Sequence, residues 1–248
     1  MSIEYVHTDD LHTLKGAKSA LPILFSKIKP ASLLDVGCGP GTWLKAALDM
    51  GVPDIFGVDG IKLAPEKLHV SPEKIQPQDL RGRWDLNRRF DAIICLEVAE
   101  HLEAEFAPNL IDALVTHGDL IYFSAACPDQ PGQHHVNCQW PDYWQLLFNE
   151  RGYICDDSLR WKIWDDSNIE PWYRQNLFLA RRDPKAAGLE PRIISVIHPD
   201  MRKLEREIYK ELNFQDHLCQ IERGRMPVVW NLTIPIRACL GKLKRKLN

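Results

Sequence analysis

The sequence predicts an α/β fold in which a mostly parallel β-sheet carries helices on both faces. A short apolar run at residues 33–36 ends in a glycine-rich turn and leads into a helical stretch at 42–50. A second apolar run, at residues 90–96, is continuous and bounded by acidic residues, which is typical of a strand buried on both faces. Helical stretches separate these runs from further short strands, as parallel pairing requires.

Length and composition are those of an ordinary globular protein. The chain has 248 residues, of which 45% are hydrophobic and 26% charged, enough for the core of one domain with or without an appendage. No stretch approaches the ~18 consecutive apolar residues of a membrane span, and residues 1–5 lack the basic and apolar regions of a signal peptide. Seven scattered cysteines without a Cys-x-x-Cys pair indicate reduced thiols, so we expect a cytoplasmic protein.

The net charge of −3 hides an asymmetry between the body of the chain and its C-terminal end. Residues 223–248 hold seven of the 31 basic residues and none of the 34 acidic ones, which leaves 24 basic against 34 acidic residues, a charge of −10, in the remainder. An acidic body argues against a broad nucleic-acid-binding surface. Residues 232–247 alternate apolar and basic positions, and such an end can lie on an anionic membrane, bind an acidic partner or remain solvated.

The turn at residues 35–41 reads Asp-Val-Gly-Cys-Gly-Pro-Gly. Glycine is needed where the backbone approaches a ligand closely or adopts a positive φ angle. A dinucleotide-binding turn would place its third glycine three residues after Gly39, at Thr42, but Gly41 comes one residue early. An acidic residue followed by Gly-x-Gly-x-Gly instead resembles the first motif of class I S-adenosylmethionine-dependent methyltransferases. The resemblance implies that the residues at the methionine and ribose part of the cofactor include Asp35, Gly37, Cys38, Gly39 and Gly41.

Acidic residues also end the next two predicted strands. Asp59, followed by Gly60, lies 20 residues beyond Gly39, and a carboxylate at this strand tip can accept hydrogen bonds from both ribose hydroxyls. Asp79 and Leu80 match the family position where an acidic side chain meets the adenine amino group and the next residue packs on the ring.

The stretch 96–102 reads Leu-Glu-Val-Ala-Glu-His-Leu. Its Glu-x-x-Glu-His-Leu resembles the fourth motif of the small-molecule branch that includes the ubiquinone O-methyltransferases. The resemblance implies that Leu96 and Glu97 flank the cofactor and the acceptor pocket. Amino-group methylases of nucleobases carry Asn-Pro-Pro-Tyr or a near relative at this point, so base methylation of that type is not expected here.

Helical periodicity predicts helices at residues 9–29, 42–50, 108–117, 141–151 and 199–213. Pro22 is expected to divide the first of these into two helices. Thr42 is a plausible N-cap of the second, and Gly51 a plausible stop.

Short strands are predicted at residues 33–36, 54–60, 75–80, 90–96, 120–124, 152–156 and 176–180. The last is antiparallel in the family's seven-stranded sheet. Four aromatic residues that precede it either pack in the core or cap an acceptor: Trp161, Trp164, Trp172 and Tyr173.

A long loop at residues 125–140 follows the fifth strand, on the side of the sheet that carries Gly37 and Asp59. Structureless loops of this length are usually functional or disordered, and this one is rich in His, Asn, Gln and Trp. An alcohol acceptor has to lose its proton, and histidine suits that task near neutral pH. His134 and His135 are the candidates, with His101 as a competitor. A likeness of His-Val-Asn to bacterial methyltransferases encoded with glycan-assembly enzymes favours His135 as base, with Asn137 orienting the acceptor or the loop.

No metal site is predicted. Only Asp129 and Asp142 flank the histidines, whereas magnesium needs several oxygen ligands. Cys127 and Cys138 with the two histidines fit no standard zinc spacing.

The resemblance covers roughly residues 15–182 and implies a Rossmann-like class I methyltransferase. We expect a methyltransferase domain at residues 1–183 and a helical extension with a basic amphipathic tail at 184–248. The expected reaction is O-methylation of a small polar acceptor such as a sugar, a nucleotide sugar or a glycan intermediate. The alternatives are a quinone-like or phenolic acceptor, or a non-catalytic partner that binds S-adenosylmethionine. Nucleic acid is not an expected partner, and the oligomeric state is open.

Overall fold

The computed structural model describes residues 13–222. The chain divides after Met201 into two compact units, residues 1–201 and 202–248. The first unit therefore extends past the predicted boundary at residue 183. Among the described residues, no helix combines the length and the apolar character needed to cross a membrane.

The first unit is built on one seven-stranded sheet. Its strands are β1 (Ser32–Val36), β2 (Asp54–Asp59), β3 (Ile75–Pro77), β4 (Ala92–Leu96), β5 (Leu120–Ser124), β6 (Tyr153–Asp156) and β7 (Phe178–Arg182). The spatial order is β3-β2-β1-β4-β5-β7-β6, and the first five strands in this order are parallel. Strand β7 runs antiparallel to both β5 and β6. The order reverses between β1 and β4, and that is where ligands bind in open α/β sheets.

Helices cover both faces of the sheet. They are α1 (Leu14–Leu24), α2 (Thr42–Asp49), α3 (Ala107–His117), α4 (Pro141–Asn149), α5 (Ser158–Ile163) and α6 (Pro171–Asn176), with α7 (Pro199–Glu222) crossing the boundary between the units. Side chains alternate along each strand, so one face of β4 presents Ile93 and Cys95 to a core shared with α3 and α4. The other face presents Ala92 and Ile94 to a core shared with α1, α2, α5 and α6. The predicted fold class is confirmed.

Two details of the predicted helices were wrong. Pro22 lies inside one continuous helix, α1. The helix continues through the proline because its fixed φ of about −65° is helical, at the cost of one intrahelical hydrogen bond. Thr42 is the first helical residue rather than the N-cap, and Gly41 caps α2 in the left-handed region with φ of +83°. Helix α2 ends at Asp49, and Gly51, the predicted stop, has a φ of +97°.

The segment between β7 and α7 belongs to the first unit and packs on its helices. Glu190 Oε1 accepts hydrogen bonds from the side chains of Gln145 and Asn149 on α4, at 3.1 and 2.6 Å. Arg174 on α6 donates to Asp200 at 2.9 Å. Helix α7 is longer than predicted, and the amphipathic stretch at residues 232–247 lies outside the described residues.

Candidate active site

A cavity of about 350 Å³ lies at the carboxyl ends of the parallel strands. Ten of the eleven residues predicted to hold the cofactor line it, namely Asp35, Gly37, Cys38, Gly39, Asp59, Gly60, Asp79, Leu80, Leu96 and Glu97. The eleventh, Gly41, serves as the N-cap of α2 and is not in the lining. Strand ends from four parts of the chain therefore meet at one pocket.

The glycine turn needs its glycines for backbone geometry and for space. Gly37 and Gly39 have φ of +75° and +51°, in the left-handed region that residues with a Cβ adopt only at a cost. A Cβ on Gly37 would lie 2.3 Å from Cγ2 of Val98, which is closer than carbon atoms approach. The turn is thus packed directly against the segment after β4.

Asp59 holds the glycine turn to the tip of β2. Its Oδ2 accepts the N–H of Gly39 at 2.7 Å, and its Oδ1 accepts the N–H of Ile61 at 2.7 Å. Each carboxylate oxygen can accept a second hydrogen bond. The side chain is therefore fixed in place and still able to receive hydroxyl groups from a ligand.

Asp35 is buried beneath the cavity. Its Oδ2 has no hydrogen-bond partner among the described residues. Burial, together with the nearby charge of Asp59, raises the pKa of Asp35 well above its ordinary value. A cationic ligand would relieve both effects.

Asp79 reaches the cavity but already has a partner. Its carboxylate accepts Nε and Nη2 of Arg81 at 2.9 and 2.8 Å, and this pair lowers the pKa of Asp79. An adenine amino group that binds to Asp79 would share its carboxylate with Arg81. Leu80 is buried, as a residue packing on an aromatic ring would be.

Glu97 links the cavity to the rest of the site. It has φ of +55° at the end of β4, a conformation that glutamate rarely adopts. Its Oε2 accepts Nε2 of Gln130 at 2.7 Å, and its Oε1 accepts Nδ2 of Asn176 at 3.1 Å. Burial raises the pKa of Glu97, while these donors and Ser124 oppose the rise. Gln130 and Asn176 were missed by the sequence analysis, because nothing in their local pattern reports a contact across the fold.

The loop at residues 125–140 packs beside the cavity without lining it. The N–H groups of Val136 and Asn137 both donate to the carbonyl of Glu100, at 2.9 and 3.0 Å. The side chain of Asn137 is buried and accepts Nε2 of Gln139. Of the two roles predicted for Asn137, this geometry favours orienting the loop. His134 is exposed, with φ of +50°.

His135 is half-buried, with its ring beside His101. The two ring centroids lie 5.1 Å apart, and His101 itself lines the cavity. Nδ1 of His135 lies 3.0 Å from the carbonyl oxygen of Gln130. A carbonyl only accepts, so Nδ1 carries the hydrogen and Nε2 keeps its lone pair. Burial lowers the pKa of His135.

Gly132 makes the position of His135 possible. A Cβ on this glycine would lie 2.1 Å from Nε2 and 2.2 Å from Cε1 of the imidazole. Any larger residue would therefore push the ring aside. This role of Gly132 was not predicted from the sequence, because a loop glycine carries no sign of which ring it contacts.

One of the four aromatic residues before β7 reaches the cavity. Tyr173 lines it and makes an edge contact with Trp43, with ring centroids 5.2 Å apart. Trp164 instead packs against Trp161 and His198, away from the lining residues.

This fold and this cavity define a class I S-adenosylmethionine-dependent methyltransferase. Residues 11–165 match the family described as "Methyltransferase domain", and the chain belongs to that family. S-adenosylmethionine is its methyl donor. The residues fit that molecule, because its sulfonium and ammonium are cationic while the cavity presents four carboxylates and one arginine, Arg81, that is itself paired with Asp79.

The chain also resembles individual methyltransferases. A 51-residue segment is 43% identical to the ribosomal RNA large subunit methyltransferase E of Caulobacter sp. (strain K31), and it spans 21% of this chain and 21% of that protein. The sugar N-methyltransferase KedS8 from Streptoalloteichus sp ATCC 53650 aligns with a TM-score of 0.53 at 17% identity, over 74% of this chain and 96% of that one. DesVI of Streptomyces venezuelae aligns with a TM-score of 0.53 at 14% identity, over 72% and 99%. At such identities the structural likeness shows the fold alone.

Proposed function

We propose that this methyltransferase methylates a hydroxyl group on a small polar acceptor, such as a sugar, a nucleotide sugar or a glycan intermediate. The observation that carries the proposal is the position of His135, which the loop holds beside His101 at the edge of the cofactor cavity. The fold itself does not select an acceptor, so the proposal rests on these side chains.

The choice of oxygen follows from the proton acceptor. A neutral amine can attack with the lone pair it already has, whereas a hydroxyl must lose a proton as it attacks. The hydrogen bond from Nδ1 of His135 to Gln130 leaves Nε2 with a lone pair. In the proposed reaction, the bond between the acceptor oxygen and the methyl carbon forms as the sulfonium S–C bond breaks. S-adenosylhomocysteine is left, and the proton passes to His135.

Alignment of the methyl donor with the acceptor also accelerates the reaction. Methyl transfer is an in-line displacement, so alignment of donor and acceptor alone can lower the barrier by about 7–11 kcal/mol. Asp59 and the glycine turn fix one end of the donor, and the loop from β5 fixes the acceptor side through Glu97 and Gln130.

A polar acceptor suits the surroundings of His135. The loop that carries the histidine also carries Gln133 and Gln139, residues whose amide groups can donate and accept hydrogen bonds to hydroxyls. The likeness of His-Val-Asn to methyltransferases of glycan-assembly loci points the same way. We further infer a cytoplasmic location from the free cysteines of the described chain, which suit a reducing compartment.

A panel of acceptors tests the proposal. The purified enzyme is incubated with methyl-labelled S-adenosylmethionine and, separately, nucleotide sugars, oligosaccharides, phenols, quinols and amino sugars. Fragment mass spectrometry then locates the methyl group. We expect label on the oxygen of a sugar hydroxyl. Label on a phenolic or quinol oxygen would overturn the acceptor class, and label on an amino-sugar nitrogen would overturn O-methylation itself.

A further inference from the structure

We propose that Glu100, His101 and His135 form a binding site for one divalent first-row transition-metal cation. One ligand atom from each residue lies within 4.8 Å of the other two. Ligands around a tetrahedral zinc ion, at about 2.1 Å from the metal, are separated by about 3.4 Å. The three side chains thus need to move together by roughly 1 Å, within the reach of small χ rotations.

Glu100 supplies the strongest reason for a cation. It is fully buried, and neither carboxylate oxygen makes a hydrogen bond of good geometry with the described chain. The nearby backbone of Glu100 and Ala126 offsets only part of the cost of burying it. A buried carboxylate without a partner is expensive, and a bound cation removes that cost.

Each of the two histidines has one ring nitrogen next to a backbone carbonyl. Nδ1 of His135 is taken by the carbonyl of Gln130 at 3.0 Å, which leaves Nε2 for the cation. Nδ1 of His101 faces the carbonyl of His134 at 3.4 Å. A backbone carbonyl behind each imidazole is the usual arrangement around metal-binding histidines, because it fixes both tautomer and ring direction.

The backbone brings the two parts of the site together. Glu100 and His101 lie in a short turn after β4, and His135 lies 34 residues further on in the loop. The carbonyl of Glu100 accepts the N–H groups of Val136 and Asn137, the residues directly after His135. The side chain of Glu100 and the imidazole of His135 are therefore held close by backbone hydrogen bonds.

The donor set selects the class of metal. Two imidazoles and one carboxylate suit zinc, manganese or iron(II), whereas magnesium and calcium prefer oxygen ligands throughout. The acidic and thiol groups first considered from the sequence are not members of this cluster: Asp129, Asp142, Cys127 and Cys138. The proposal therefore departs from the sequence analysis, which predicted no metal.

Three protein ligands leave at least one position open on the cation. His101 lines the cofactor cavity, so the open position is next to the methyl donor. Resting on the proposed O-methylation, we infer that the acceptor hydroxyl binds there and loses its proton to solvent, because a cation lowers the pKa of a bound hydroxyl. His135 then acts as a ligand in place of accepting the proton.

Metal binding is measured directly on the full-length protein. The enzyme is stripped with a chelator, dialysed, and titrated with Zn²⁺ and separately with Mn²⁺ by calorimetry, and bound metal is counted by plasma mass spectrometry. We expect one equivalent of cation. Glu100→Gln and His135→Ala should weaken binding at least tenfold, and the exposed neighbours Glu103→Gln and His134→Ala should not. Circular dichroism confirms that each variant is folded.

The outcomes separate this inference from the proposed function. Failure of the wild-type enzyme to bind a stoichiometric cation, or wild-type affinity in both Glu100→Gln and His135→Ala, overturns the metal site. Hydroxyl methylation at an unchanged rate in the stripped enzyme overturns the catalytic role of the cation and leaves O-methylation standing. One bound equivalent, with methyl label found on nitrogen, supports the metal site and overturns O-methylation.

Discussion

The backbone N–H of Gly39 donates to Oδ2 of Asp59 at 2.7 Å, across 20 residues of sequence. One side chain thereby fixes the glycine turn after β1 to the tip of β2. The same carboxylate lines the cavity, so it holds the glycine turn in place and also forms part of the cavity wall.

Replacement of Asp59 by alanine should weaken the binding of S-adenosylmethionine. Hydrogen bonds to a charged group are worth about 1.5–3 kcal/mol each, so we expect roughly a 10- to 150-fold rise in Kd by calorimetry. Asp54→Ala is the matched control, since Asp54 begins the same strand and pairs with Arg88 at the surface. An unchanged Kd in Asp59→Ala would remove this residue from the cofactor site.

Binding of S-adenosylmethionine should release protons through Asp35. The free protein holds Asp35 with a pKa well above the ordinary value, because the group is buried next to Asp59. A cationic ligand favours the ionised carboxylate, so the pKa falls on binding and affinity rises with pH through the pKa of the free protein. Calorimetry in buffers of different ionisation enthalpy measures the released protons. Asp35→Asn should abolish that part of the release, and equal release in both proteins would contradict the prediction.

Loss of the His135 imidazole should reduce turnover far more than cofactor binding. We expect His135→Ala to lower kcat by roughly 10²- to 10⁴-fold, the range of a group that assists proton removal, with the Kd for S-adenosylmethionine nearly unchanged. Gly132→Ala should reproduce much of this loss while keeping the histidine, because the new Cβ would displace the ring. His134→Ala, on the exposed neighbour, should have a smaller effect. Full activity in His135→Ala would exclude it from the chemistry.

If the basic C-terminal end lies on anionic membranes, removal of residues 223–248 should weaken binding to anionic vesicles. These residues carry seven basic and no acidic side chains. Each basic group near an anionic surface contributes about 1 kcal/mol at moderate ionic strength. Co-sedimentation with phosphatidylserine vesicles, with phosphatidylcholine vesicles as the control, measures the difference between the full chain and the truncated one. Equal sedimentation of both proteins would support a solvated tail.

The sequence predicted the positions of the strands and of the glycine turn well, because both depend on local patterns. An apolar run that stops at Asp35 and three glycines identifies the first strand and its turn, and Asp59 follows at the expected spacing. The ends of the helices were harder to predict from the sequence. Gly41 and Thr42 both suit an N-cap, and only the left-handed backbone of Gly41 decides between them.

The acceptor end could not be predicted to the same depth, since it depends on contacts between distant segments. Asn176 lies 79 residues from Glu97, and its amide reaches that carboxylate only because α6 packs beside β5 and the cavity. The grouping of Glu100 with His135 likewise depends on backbone hydrogen bonds from the loop to one carbonyl. The roles of His134, His135 and Asn137 stay predictions until the variants are measured.

The position of Glu97 has a consequence for how the enzyme binds its two substrates. Its side chain lines the cofactor cavity while its two oxygens hold Gln130 of the loop and Asn176 of α6. A cofactor that changes the position or charge of Glu97 therefore changes the loop, and thermodynamic linkage makes the effect equal in the opposite direction. The methyl donor and the acceptor should accordingly change each other's affinity by the same factor, and that factor should fall towards one when Glu97 no longer joins the loop to the cavity.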